Sequence, residues 1–208
     1  AEERGDKESI NIDLISTRAQ YEPGSSLKIF SIGLALEQGL LNEKTEYYVE
    51  DTIELIENSC QKDFKGYKGC YKDFLKHEPY NLSVKEIVER SSNVGTIIAT
   101  KDLNINDLEE FLSQFGFSKR TGIELSGESK GSFDPNKTCT TCLSSLSIGY
   151  SINVTQMQMV KAYSIIANGG KNVDLTLIKS PYSNYSPNQV IDSNSCLLYT
   201  SPSPRDRW

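Results

Sequence analysis

The stretch Tyr21-Glu22-Pro23-Gly24-Ser25-Ser26-Leu27-Lys28, followed at once by Ile29-Phe30-Ser31-Ile32-Gly33-Leu34-Ala35-Leu36, constrains the fold more than any other part of the sequence. Pro23 and Gly24 stop an extended segment, and apolar positions at 29, 32, 33, 36 and 40 then recur at helical spacing. A helix therefore begins at Ser25 and ends near Gly39. A serine there sits among unpaired backbone N–H groups at the positive end of the helix dipole, with Lys28 one turn above it on the same face. Such a pair can activate a serine without histidine. The plainer alternative is a capping serine, because Ser-x-x-Lys arises by chance about once in a chain of this length. It does recur here, at Ser59 to Lys62.

Composition narrows the partners. The 208 residues suffice for one domain or a large piece of a bigger one, and 37% hydrophobic with 24% charged residues is the balance of a soluble globular chain. A net charge of −6 and the lack of any Lys/Arg block argue against nucleic acid or an anionic membrane as main partner. No stretch reaches the roughly 20 apolar residues of a membrane span. The sequence opens Ala1-Glu2-Glu3-Arg4 without methionine or leader, so any anchor or export signal is expected upstream. At the far end, residues 196–208 resemble a sequencing adapter translated as though it were coding. They are expected to be non-native and to pack on nothing.

Without that tail, four cysteines remain. Cys60 and Cys70 can close a short ring or stay as thiols, and Cys139 and Cys142 form a Cys-x-x-Cys. A zinc site made of all four is disfavoured because Cys60 and Cys70 are spaced wider than the two to four intervening residues such sites use. No metal or cofactor is expected. The sole histidine, His77, lies in a polar loop and reads as a solvated residue rather than a base.

The rest of the chain gives an ordered series of helices. Residues up to 20 alternate weakly through Ile10, Ile12 and Leu14 and read as extended. Leu40 to Tyr80 reads as a long irregular loop with two short strands. Ser83 with Glu86 forms a capping box, and Leu82 with Ile87 a hydrophobic staple, so a helix runs to about Arg90. Ser91-Ser92-Asn93 is then a tight turn before a second helix. Asn106 to Gln114 is amphipathic and ends at Gly116, Thr121 to Leu125 reads as a short strand or extended, and a Thr155–Gln158 capping box opens a helix that Asn168-Gly169-Gly170 stops. Met157 and Met159 are filler or surface.

Three contexts in register carry a family resemblance. Residues 21–28 resemble the Tyr/Phe-Glu-Pro-Gly-Ser-Thr-x-Lys stretch of class B penicillin-binding proteins, and Glu89-Arg90-Ser91-Ser92-Asn93-Val94-Gly95 resembles their Ser-x-Asn motif with its flanks. Ser147 to Gln158, leading into Ala162-Tyr163 and Asn168-Gly169-Gly170, is similar to their Gly-Tyr-Gly-x-x-Val-Thr-Pro-x-Gln segment. The resemblance covers residues 14 to 180, and the subtype it points to is the septal, cell-division enzyme of Gram-negative bacteria. Ser151 stands where the family usually has glycine and Gln156 where it often has proline. The third motif, Lys-Ser/Thr-Gly, is absent, and Lys179-Ser180-Pro181 does not replace it because proline lacks both the N–H and the flexibility of glycine.

The resemblance implies an α/β penicillin-binding transpeptidase (β-lactamase-like) fold over residues 1–195, truncated so that helices dominate and most of the antiparallel sheet is missing. It implies peptidoglycan stem peptides as substrate, β-lactam antibiotics as ligands, divisome membrane proteins as partners, and a periplasmic domain on an inner-membrane anchor outside this chain. The implied catalytic set is Ser25 as nucleophile, Lys28 as base, Ser91 as proton relay and Asn93 holding Lys28 and the substrate amide. With the Lys-Ser/Thr-Gly strand absent, the chain alone is expected to be inactive. The alternatives are a β-lactam sensor or β-lactamase-like protein, and a non-catalytic divisome scaffold.

Overall fold

In the computed structural model, residues 15–42, 44–61, 69–134, 139–179 and 187–192 are described. Ile10, Ile12, Leu14 and the adapter-like tail, on which expectations rested, lie outside them. The chain forms two units: residues 23–108 with 134–151, and residues 1–22 with 109–133 and 152–208.

The first unit carries the Ser25 region. A 3₁₀ turn, Gly24–Leu27, leads directly into helix α1, Lys28–Glu37. Leu27, Phe30, Ile32 and Ala35 are buried to 1% exposure or less. Residues 40–80 are more regular than expected. Among the described residues from 40 to 83 lie four short strands, β1 (Glu46–Val49), β2 (Thr52–Glu54), β3 (Cys70–Lys72) and β4 (Tyr80–Ser83). β1 pairs antiparallel with β4, and β2 with β3, in two separate two-stranded sheets. Strands of three or four residues carry too little period-2 pattern to be seen from sequence.

Helix α2 (Val84–Arg90) starts with the expected Ser83–Glu86 capping box, and Leu82 and Ile87 on either side of its start are fully buried. Helix α3 (Asn93–Thr100) is the hub: it packs on α1, α2, β1, β3 and the later helix α5 (Cys142–Ser147). Six of its eight residues are buried, as a central helix requires.

Both cysteine pairs are disulfides, Cys60–Cys70 and Cys139–Cys142, so the four-thiol zinc reading fails. Cys60–Cys70 ties the β3 strand across a separation of 10 residues. Closing a ring of that size restricts the unfolded chain by about 2–3 kcal/mol. Replacing both cysteines by serine is expected to cost that much in urea unfolding; an unchanged midpoint would refute it.

Helix α4 (Ile105–Gln114) has its first residues in this unit and the rest in the second. In the second unit Phe111, Phe115 and Phe117 are core. Helix α6 (Gln156–Ala167) has the expected Thr155–Gln158 capping box. Gln158 is fully buried, and its Nε2 donates to Lys119 O and Lys130 O, both at 2.7 Å. Gln156 occupies the first helical position, where proline is tolerated because that N–H has no intrahelical acceptor; glutamine therefore changes no ladder bond. Strands β5 (Ser132–Phe133) and β6 (Ile152–Asn153) pair antiparallel. One expectation needs correction: residues 15–18 are helical rather than extended. Of the two forms expected for Thr121–Leu125 the strand is not made, because Glu128 draws in the Thr121 and Gly122 N–H groups.

Among the described residues no sheet exceeds two strands, in line with a helix-dominated, sheet-poor architecture. No helix among them is long and apolar enough to cross a membrane.

Candidate active site

Ser25 caps nothing. The N-cap of its 3₁₀ turn is Pro23 and that of α1 is Leu27, neither with a side-chain cap bond. Ser25 lies inside the turn, exposed, and its carbonyl accepts the Lys28 N–H. Residues three apart eclipse in a 3₁₀ turn, so Ser25 and Lys28 share a face more closely than in an α-helix.

Lys28 is the unusual group. The residue is 3% exposed, and its ammonium donates to Ser91 O at 2.5 Å and to Ser91 Oγ at 3.3 Å. Burial lowers its pKa from 10.5 to about 8, with the Asp73 carboxylate pulling the other way. The lysine stays partly neutral near physiological pH, as a general base needs.

Ser91 meets Lys28 because of its backbone. It closes α2 in the left-handed region (φ 55, ψ 39), and the turn passes through Ser92, the N-cap of α3, to Asn93. A left-handed serine costs about 1–2 kcal/mol and persists only where its surroundings hold it. Asn93 sends its amide nitrogen to Lys72 O on β3 at 2.7 Å. The expected contact between Asn93 and Lys28 is not made: among the described residues the Lys28 ammonium bonds only Ser91. Of the four expected residues, the structure joins Lys28 directly to Ser91, with Ser25 one turn below and Asn93 two residues beyond.

Two features were not foreseen. His77 is not solvated: its side chain is 15% exposed, its Nε2 lies 3.1 Å from Asp73 Oδ2, and its ring stacks on Tyr80. Burial depresses its pKa, but the bonds to Glu78 O and Asp73 and the nearby Asp51 charge outweigh that and leave it raised. The other feature is the seat of the nucleophile. Gly24 N–H donates to Gly149 O at 2.9 Å, and Gly149 has φ +87. A Cβ on Gly149 would stand 2.0 Å from Gly24 O and 2.6 Å from Gly24 N, backbone atoms that cannot swing aside. Ser151, in a glycine position of the family, adopts the same left-handed backbone at φ 61.

Gly149→Ala is therefore expected to destabilise by about 2–4 kcal/mol and, where the protein stays folded, to slow reaction at Ser25 at least tenfold. Gly39, with φ +69 and open space around it, is the control. Gly39→Ala should cost about 1 kcal/mol and leave Ser25 reactive. Equal behaviour of the two variants would refute this account of the seat.

The family model described as the penicillin binding protein transpeptidase domain matches residues 3–200. Penicillin-binding protein PbpB of Mycolicibacterium smegmatis is 30% identical over 166 residues, 79% of this chain and 24% of its own length. The peptidoglycan D,D-transpeptidase FtsI of Buchnera aphidicola from Schizaphis graminum is 30% identical over 161 residues, 76% of this chain and 26% of its own. Penicillin binding protein 3 of Mycobacterium tuberculosis, solved with ampicillin, superposes with a TM-score of 0.74 at 25% identity, covering 88% of this chain and 40% of that one. The chain thus spans about a quarter of the length of the curated relatives it matches.

Proposed function

The chain belongs to the penicillin-binding protein transpeptidase domain family, and from that premise we propose that it contributes the Ser-x-x-Lys and Ser-x-Asn half of a D-Ala-D-Ala transpeptidase that crosslinks peptidoglycan stem peptides during division. The observation that carries the proposal is the buried Lys28 ammonium, one turn along from Ser25 and held on Ser91 with a pKa lowered to about 8.

In this reading Ser25 Oγ attacks the carbonyl between the last two D-alanines as neutral Lys28 takes its proton. The tetrahedral intermediate collapses when Ser91 passes a proton to the departing D-alanine amine. An amine of a neighbouring stem peptide then attacks the acyl-Ser25 ester, restoring the serine and leaving the crosslink. The amide of Asn93 orients the peptide bond under attack. The oxyanion is met by the Ser25 N–H and a second N–H from a Lys-Ser/Thr-Gly strand, which these 208 residues do not contain. Missing one donor costs about a hundred- to a thousandfold in rate. The relatives' names support the reaction class, and the proposal extends to β-lactams as acylating mimics of D-Ala-D-Ala, divisome proteins as partners, and a periplasmic site reached by a membrane anchor outside these residues.

Incubation with a fluorescent penicillin, followed by digestion and mass spectrometry, tests the proposal. A stable adduct on the Ser25 peptide is expected, formed about a hundred- to a thousandfold faster in a product that extends to the Lys-Ser/Thr-Gly motif than in this chain alone. An adduct elsewhere would overturn the assignment. Rapid release of hydrolysed penicillin would favour a β-lactamase.

A further inference from the structure

We infer that Asp73, on the segment that follows β3, is a positioning residue that clamps the Ser91-Ser92-Asn93 turn so that Ser91 presents its carbonyl and hydroxyl to Lys28. The inference rests on the reading of Ser25 and Lys28 given above and assigns a role to a residue that no motif includes.

The Asp73 carboxylate has a full set of partners. Oδ1 accepts the Asn93 N–H at 2.5 Å and the Val94 N–H at 3.0 Å, while Oδ2 accepts the Ser92 hydroxyl at 2.7 Å and lies 3.1 Å from His77 Nε2. Its side chain is 7% exposed. A carboxylate offers about four acceptor sites, and here all are used in a buried setting where charge-assisted bonds are strong.

Capping alone does not explain this arrangement. Ser92 already accepts the Gly95 N–H at 2.8 Å as the N-cap of α3. Asp73 takes the two earlier N–H groups and also the hydroxyl that does the capping, so it fixes the backbone immediately after Ser91. On the other side, Ser91 N–H and Ser92 N–H return to Val88 O and Ile87 O of α2. The left-handed Ser91 is thus gripped from both flanks, as a conformation costing about 1–2 kcal/mol requires.

Asp73 is itself held firmly. Its N–H donates to Asp51 O at 2.9 Å, and Thr52↔Lys72 pairing and the Cys60–Cys70 bridge anchor the strand before it. The neighbouring Lys72 O takes the Asn93 side chain. One disulfide-tied hairpin therefore holds the Ser92–Asn93 side of the Ser-x-Asn turn.

Asp73 also bears a negative charge that holds the proton on Lys28, opposing the effect of burial. The charged or titratable groups around Asp73 are His77 on its own segment, Lys28 from α1, and Tyr80 of β4 and Arg90 of α2, which line one cavity with Asp73, while Asp51 acts on His77. Geometry and charge can be separated by two variants. Asp73→Ala removes the clamp; Asp73→Asn keeps its shape but not its charge.

Acylation by fluorescent penicillin is measured against pH in the full-length gene product, with the adduct mapped to Ser25 and folding followed by circular dichroism. The scan is repeated in a His77→Gln background so that the imidazole's titration drops out. At temperatures where it is folded, Asp73→Ala is expected to lose at least about tenfold in maximal acylation rate. Asp73→Asn is expected to move the acidic limb to lower pH, a change that a purely structural role would not produce. It also carries the test if the alanine variant does not fold. A folded Asp73→Ala acylating at the wild-type rate, or an Asp73→Asn limb that stays in place, overturns the inference. A wild-type adduct away from Ser25 would overturn the parent reading and this one with it; a Ser25 adduct with indifferent Asp73 variants overturns this one alone.

Discussion

Ser25→Ala in the full-length gene product is expected to abolish penicillin labelling and to fail in complementing a strain that lacks its septal transpeptidase. Removing the nucleophile of a serine acyl-transfer site costs on the order of a millionfold, because no other group can hold the acyl chain. The fold should survive, since Ser25 is exposed and caps neither the 3₁₀ turn nor α1. A thermal midpoint within about 1–2 °C of wild type is therefore part of the prediction, as expected for a small change at an exposed position. Undiminished complementation would instead identify a scaffold that has kept the fold without its chemistry. Complementation lost together with the midpoint would point to misfolding and refute the claim that Ser25 plays no structural part.

How much of this was legible in the residues depends on the range of the interaction. Both capping boxes, the turn from Ser91 to Asn93 and the stop at Gly169 are local, set by side chains three or four residues apart, and the structure contains them. The Ser25 turn was half legible: Pro23-Gly24 and the apolar run mark a helix start, but a 3₁₀ turn differs from an α turn only in backbone pairing. Long-range contacts were not legible. Nothing near Asp73 shows that its carboxylate meets residues some 20 positions away, or that Tyr80 pairs with Val49. A lone Asp and His four apart in a Tyr- and Lys-rich stretch were the only trace of that network. Gly149 stood inside a family-like segment, but its reason for being glycine, a backbone carbonyl 2.0 Å from where a Cβ would sit, exists only once Gly24 is folded against it. The Cys139–Cys142 bridge was equally hidden, because spacing alone does not separate a disulfide from a pair of thiols.

Lys28 should leave its signature in the pH profile. Burial lowers its pKa to about 8, so roughly one tenth of the lysine is neutral at pH 7 and most of it at pH 9. Acylation of Ser25 is expected to rise about tenfold across that interval, with its midpoint near the lysine pKa. Lys28→Met fills much of the same volume without the amine. It should lower acylation by about a hundred- to ten-thousandfold and erase the rise, leaving a flat profile. Stability should rise with pH as the rate does, over a somewhat higher range. Below pH 8 the wild-type lysine is charged in both folded and unfolded chains, and the cost of burying the charge is present in full. Between about pH 8 and 10.5 the unfolded chain binds the extra proton, so wild-type stability climbs with pH. The methionine variant lacks both cost and slope, and near pH 7 it should unfold no more easily than wild type while reacting far more slowly. That divergence identifies a base kept neutral at the expense of stability; a variant that lost stability and rate together, or kept the pH rise, would show that the lysine only ties Ser91 in place.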